Sequence, residues 1–249
     1  MTAIKLSQVS KSYKGVYALD RITLSVPAGK VYGLLGKNGA GKTTTLRIVT
    51  GLIHADDGDI EVRGKKVNCK RPNEGGHIGA IIEAPGLYGN LSAMDNVRLA
   101  AQMGGTRDAD CEGMLSEVGL LGTSRKKVKQ FSSGMKQRLG IACALINLPQ
   151  ILILDEPTVG LDPEGVSDLR KLIRRLADEK NMTVVLSSHI LAEVEQIADM
   201  VGIIHDGRLV DEFDLADLKD TEGVKYGKGN LEQRFFEVIN NGTQKESES

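Results

Sequence analysis

The segment Gly36-Lys37-Asn38-Gly39-Ala40-Gly41-Lys42-Thr43 constrains this chain more than any other stretch of it. It matches G-x-x-x-x-G-K-[ST], and its flanks supply the context that gives this pattern meaning. Val31 to Leu35 is a short apolar run with strand character, and Lys42 to Thr50 reads as a helix. A strand, a glycine loop and a helix in succession turn backbone N–H groups inward around an anion, and the helix start adds the positive end of its dipole. Gly36, Asn38, Gly39, Ala40, Gly41, Lys42, Thr43 and Thr44 are therefore the expected phosphate contacts. Lys42 supplies a point charge, and Thr43 offers a hydroxyl to Mg2+.

A second constellation follows more than a hundred residues later. Ile151-Leu152-Ile153-Leu154-Asp155-Glu156 is an apolar strand that delivers two carboxylates at its end, where ligand contacts gather in open α/β sheets. Successive strand residues face opposite sides, so the two acids are free to serve different tasks. Asp155 is placed to hold Mg2+ through its water shell, and Glu156 to polarise an attacking water.

The pattern around these motifs is that of an α/β protein. Ile4 to Val9 and Leu19 to Val26 alternate as an antiparallel opening, closed by the Pro27-Ala28-Gly29 turn. Further strands are expected at Ile60 to Val62, His77 to Ile82, Ile151 to Leu154, Thr183 to Leu186 and Val201 to His205. Between about residues 92 and 144 apolar residues recur at helical spacing instead, which marks an inserted helical subdomain. Pro163 opens a helix with Val166, Leu169, Leu172, Ile173 and Leu176 on one face. Strands alternating with amphipathic helices imply a mostly parallel sheet. The expected division is a domain over residues 1–219 and a polar C-terminal extension over 220–249. In that extension Leu231, Phe235, Phe236 and Ile239 suit one or two amphipathic turns, ahead of a disordered end.

Composition removes several function classes. With 32 basic and 33 acidic side chains the net charge is -1, so no global field gathers nucleic acid or anionic lipid. Arg125, Lys126, Lys127 and Lys129 form one basic cluster, read as a solvated face. Cys69, Cys111 and Cys143 are far apart with no CxxC pair, which suggests neither a disulfide framework nor a zinc site. The start MTAIKLSQVS has no apolar core of a signal peptide, and the sequons at Asn90 and Asn241 are then chance matches. No run reaches the roughly 18 apolar residues of a membrane span. A cytoplasmic protein is expected, and any membrane crossing falls to another chain.

Phe131-Ser132-Ser133-Gly134-Met135-Lys136-Gln137 makes the reading specific. It is similar to the LSGGQ signature of ABC-type ATPases, and the order of glycine loop, signature and Asp-Glu strand matches that family from about Ile4 to Leu215. The resemblance implies a P-loop fold with an N-terminal antiparallel β subdomain, and ATP and Mg2+ as ligands. It further implies that Ser132 and Gly134 contact the γ-phosphate held by a second ATPase chain, most simply a copy of this one. By the same resemblance Asp162 reaches across that interface, His189 contacts the γ-phosphate or the water, and Tyr13 stacks on adenine with Tyr17 as second choice. A separate membrane-spanning permease is the implied partner, which places the chain on the inner face of the membrane.

One position departs from the family pattern. Where most members carry glutamine in the loop that touches Mg2+ and the membrane subunit, this chain has Glu83, in Ile82-Glu83-Ala84-Pro85-Gly86-Leu87-Tyr88. A glutamate beside a divalent cation stays ionised and binds it more strongly than a neutral amide. Together with FSSGMKQRLGIA it resembles bacterial transporters that defend against lantibiotics and bacitracin-type peptides. The competing reading is a soluble ABC ATPase acting on ribosomes or DNA. Against it stand the neutral charge, the single ATPase unit and the lack of a coiled-coil insertion.

Overall fold

The computed structural model describes residues 1–67, 78–106, 108–218 and 231–246. Cys69, His77 at the start of one expected strand, Lys219 at the end of the expected domain, and residues 220–230 and 247–249 of the polar extension lie outside the described residues. In chain order the elements are β1 (Thr2–Tyr13), β2 (Val16–Pro27), β3 (Val31–Leu35), α1 (Lys42–Val49), β4 (Asp57–Val62), β5 (Lys65–Lys66) and β6 (Ile78–Ile81). The helices α2 (Ala93–Met103), α3 (Cys111–Glu117) and α4 (Ser133–Leu145) follow. Then come β7 (Ile151–Leu154), α5 (Pro163–Lys180), β8 (Thr183–Ser188), α6 (Leu191–Ile197), β9 (Met200–His205), β10 (Arg208–Asp214) and α7 (Leu231–Glu246).

These strands form two sheets. The first has the order β2-β1-β4-β5 and is antiparallel, with Leu6 opposite Leu24 and Tyr13 opposite Val16. The second has the order β10-β9-β3-β8-β7-β6, and only its edge strand β10 runs antiparallel to its neighbour. Strand alternation decides which core each residue joins. On β3, Tyr32 and Leu34 join the core between the sheets, while Val31 and Leu35 join the core under the helices. On β7 the split repeats, with Ile151 and Ile153 on the first side and Leu152 and Leu154 on the second.

The helices α2 to α5 start where their sequences supply side-chain caps. Ser92 Oγ accepts from the Asp95 N–H at 3.1 Å, Asp110 Oδ1 from the Gly113 N–H at 2.8 Å, and Ser132 Oγ from the Met135 N–H at 3.2 Å. Asp162 caps α5 in the same way, with Pro163 at the first helical position, and Asn181 ends it in the left-handed region at φ 50°. Leu169, Leu172, Ile173 and Leu176 of α5 are buried, each stabilising the fold by about 1.5–3 kcal/mol relative to exposure.

Several elements depart from the expectation. β1 and β2 run beyond Ile4 to Val9 and Leu19 to Val26, because cross-strand pairing such as Ser12 with Tyr17 carries the ladder through polar ends. β10 was not expected at all; its charged sequence RLVDEFD has little alternation, and pairing with β9 supplies the order that propensity does not.

The last helix is also longer than one or two turns. Leu231, Phe235 and Ile239 are buried in the same core as α6 and Phe213, while Phe236 is exposed. Arg234 ties the helix to β10, bonding Asp211 at 2.7 and 3.1 Å and stacking its guanidinium 3.6 Å from the Phe213 ring centroid. Arg125, Lys126, Lys127 and Lys129 are exposed, and among the described residues no helix is long and apolar enough to cross a membrane.

Candidate nucleotide site

The glycine loop closes because two of its residues leave no room for a side chain. A Cβ on Gly36 would sit 2.5 Å from the Ile204 carbonyl oxygen of β9. Gly41 adopts φ +110°, where a Cβ would also lie 2.7 Å from the Ala18 oxygen of β2. The loop is thereby wedged between β2 and β9, and α1 begins directly behind it. Lys42 is almost wholly buried at 5% exposure, and its ammonium donates to Gly36 O at 2.8 Å and Lys37 O at 3.2 Å. Its charge is met by Glu156, whose Oε1 lies 3.0 Å away.

β7 ends at Leu154, and Asp155 and Glu156 follow in different conformations. The Asp155 N–H donates to Ile81 O at 2.9 Å, which holds it level with the end of β6. Its carboxylate accepts from Thr43 Oγ1 at 2.9 Å and from Ser187 Oγ at 2.6 Å. Glu156 turns through the left-handed region at φ 47°, so the two acids part through a backbone turn rather than by strand alternation. The side chain of Glu156 meets Lys42 on one oxygen and His189 Nδ1 on the other, the latter at 2.8 Å. Thus three segments distant in sequence converge: residues 36–43, 155–156 and 187–189.

This donor set fits ATP with Mg2+. A buried ammonium and a helix N-terminus favour phosphate, and a hydroxyl beside a carboxylate offers hard oxygen ligands. Mg2+ keeps several waters and takes one or two carboxylates with substrate phosphates, rather than a protein cage. Among the described residues there is no cluster of three or more His, Cys, Asp or Glu suited to a metal.

The remaining expected residues lie around this centre or away from it. Tyr13 and Tyr17, at 47% and 64% exposure, flank the β1–β2 turn, and neither is a buried structural tyrosine. The ammonium of Lys11 stands 5.5 Å from the Tyr13 ring centroid. β2 continues from Tyr17 to Ala18, which touches Gly41, so this turn borders the loop. Ser132 is exposed at the N-terminus of α4, with Gly134 in its first turn, and Asp162 is exposed at the start of α5. A Cβ on Gly134 would lie 3.7 Å from Gly165 Cα, so the two helix starts adjoin.

Glu83 differs from the others. Its carboxylate pairs with Arg47 of α1 rather than with Thr43 or Asp155, and its backbone is left-handed at φ 66°. Two residues of the site escaped sequence reasoning. Ser187 bonds both Asp155 and the backbone of Glu156; the signal available for it was a serine pair closing an apolar strand beside His189. Arg47 gave no local signal.

The family model described as ABC transporter matches residues 19–159. A second model, an AAA domain described as a putative AbiEii toxin of a type IV TA system, matches only residues 127–195. The chain is 46% identical over 219 residues to the bacitracin transport ATP-binding protein BcrA of Bacillus licheniformis, covering 88% of this chain and 72% of that protein. It is 44% identical over 236 residues to the lantibiotic transport ATP-binding protein SrtF of Streptococcus pyogenes, covering 95% and 97%. Among solved structures, a dimeric ATP-binding cassette in a post-hydrolysis state bound to ADP and Pi superposes with a TM-score of 0.76 at 26% identity, covering 85% of this chain and 98% of that one. With a family model over more than half of its length and relatives above 40% identity, the chain belongs to the ABC transporter ATP-binding family as an ATPase that uses ATP and Mg2+.

Proposed function

We propose that two copies of this chain, docked on a separate membrane-spanning permease, hydrolyse ATP to export bacitracin- or lantibiotic-type peptides, giving resistance or self-protection. The observation that carries this is the 44% identity to a lantibiotic transport ATP-binding protein over 97% of that protein's length, joined by 46% identity to a bacitracin transport counterpart. Glu83 in place of the common glutamine supports the same subclass. The peptide is contacted mainly by the permease, and no nucleic acid is involved. The chain sits in the cytoplasm against the inner face of the membrane.

ATP supplies the anhydride to be cleaved, and Mg2+ would, when bound with it, neutralise charge on its phosphates. Gly36, Asn38, Gly39, Ala40, Gly41 and Thr44 cradle phosphate, while Tyr13 offers a stacking face to adenine. Lys42 exchanges Glu156 for phosphate oxygens, a transfer favoured because its two carbonyl partners can stay in place. Glu156, released from Lys42, accepts the proton of the attacking water, and His189 holds it in line from the far side. Thr43 and Asp155 would hold the metal, and the Glu83 carboxylate, paired with Arg47 in its absence, would offer it a further hard oxygen ligand. The helix starts at Ser132 and Asp162, both exposed, and Gly134 beside them face the second chain in this reading, so that site closes only in the dimer.

The test is isolation of the tagged protein from native membranes, with identification of what copurifies, followed by resistance assays of a deletion strain against bacitracin and several lantibiotics. Recovery of a multi-spanning protein and loss of resistance are expected. Recovery of ribosomes or DNA in its place would favour the soluble alternative.

A further inference from the structure

We infer that Ser187 is a positioning residue for ATP hydrolysis, its one hydroxyl orienting the Asp155 carboxylate and the Glu156 backbone together. The inference rests on the reading that Asp155 and Glu156 serve that reaction. Ser187 is fully buried near the end of β8, whose register sets Leu186 beside Leu154 and so carries Ser187 alongside Asp155. Its Oγ stands 2.6 Å from Asp155 Oδ1 and 2.8 Å from the Glu156 nitrogen.

The direction of both bonds follows from chemistry. A backbone N–H only donates, so the hydroxyl accepts from Glu156 and its own proton is left for Asp155, which as a carboxylate only accepts. Asp155 Oδ1 is thus held from the β8 side, while Oδ2 faces Thr43 at 2.9 Å. Thr43 is the hydroxyl expected to leave this arrangement for Mg2+. Ser187 then remains to keep the carboxylate in its plane.

Glu156 needs holding for a different reason. At φ 47° it occupies a region that L residues enter at a steric cost, and such conformations persist only where surroundings over-determine them. Three groups do so here: Lys42 and His189 on the side chain, and Ser187 on the backbone. Lys42 is the one that nucleotide draws away. Without the Ser187 hydroxyl a buried N–H and a carboxylate oxygen would each lose a partner, and the turn at Glu156 would relax away from His189.

Ser187→Thr and Ser187→Val test this cleanly, because the two side chains are nearly the same shape, both suit a strand, and only threonine carries the hydroxyl. We expect Ser187→Val to lower kcat by about tenfold or more, with Ser187→Thr within about threefold of the original. A readout without turnover accompanies it. The gain in affinity for a fluorescent ADP analogue on adding Mg2+ should shrink in the valine variant and persist in the threonine variant. If Ser187→Val does not accumulate folded, Ser187→Ala takes its place in the same comparison. Equal behaviour of the hydroxyl-bearing and hydroxyl-free variants in both readouts overturns the inference. Glu156→Gln run alongside separates the two levels: original-rate hydrolysis in that variant, or none in the unaltered protein, overturns the underlying reading instead.

Discussion

The ammonium of Lys42 lies 3.0 Å from Glu156 Oε1, so the cation of the phosphate loop and the carboxylate at the end of β7 neutralise each other across the site. Nucleotide has to replace that carboxylate as the partner of Lys42. Hydrogen bonds to charged groups contribute about 1.5–3 kcal/mol, so Lys42→Ala should weaken ATP binding by roughly 10- to 100-fold. Equilibrium titration with a fluorescent ATP analogue checks this, and unchanged affinity would remove Lys42 from the binding site.

Glu156→Gln removes the proposed base while keeping a side chain of the same size. Hydrolysis should fall by about 10²–10⁴-fold with ATP affinity retained, leaving an ATP-loaded dimer that persists on size exclusion. A variant that turns over at the normal rate would sink the assignment.

The Arg47–Glu83 pair is largely exposed, with 35% and 65% of the two side chains accessible, so it contributes little to stability, about 0–1 kcal/mol. Glu83→Ala should therefore melt near the original temperature. Its Mg2+-dependent ATPase activity and its peptide resistance should both fall. Resistance that survives the substitution takes this loop out of the coupling mechanism.

Burial pushes the Cys143 thiol up from 9.0 to about 12, with nearby Cys111 adding to the shift. The neutral thiol is favoured in the fold, so between those two values the unfolded chain ionises first and binds fewer protons than the native one. Stability then falls as pH rises above 9.0, and that loss should be smaller in Cys143→Ala. At pH 8 iodoacetamide should leave Cys143 unmodified until denaturant is added, which peptide mass mapping would read directly.

Phe235 anchors α7 to the core that also holds α6 and Phe213. Phe235→Ala should destabilise the protein by about 3–5 kcal/mol. At roughly 2–4 °C per kcal/mol for a domain of this size, thermal unfolding should show a clear drop in Tm. A melting curve that does not move would mean that the helix does not pack there in solution.

The parts legible in the sequence are those whose structure is set by neighbours along the chain. The strand, loop and helix around Gly36 to Thr43 appear where the apolar run and the glycines put them, since φ freedom at Gly41 and a helix start at Lys42 are local properties. Asp162 with Pro163 and Ser132 ahead of α4 are helix caps readable from a few residues. β10 and α7 were less legible, because a charged edge strand and a half-polar helix acquire order from the β9 ladder and from the Phe213 contact with Arg234.

By itself, then, the sequence determined the chemistry available: a phosphate loop, two carboxylates after an apolar strand, a histidine after another, and their order along a recognisable family pattern. Tertiary structure alone decided which of these groups touch. The strand order β9-β3-β8-β7-β6 sets the loop after β3 beside the ends of β7 and β8, and only that adjacency pairs Lys42 with Glu156, Glu156 with His189, and Ser187 with Asp155. Glu83 shows the same division, since its substitution was plain in the sequence while its partner Arg47 was not. Contacts between residues far apart in the chain depend on how sheets and helices pack, and no local spacing records that packing.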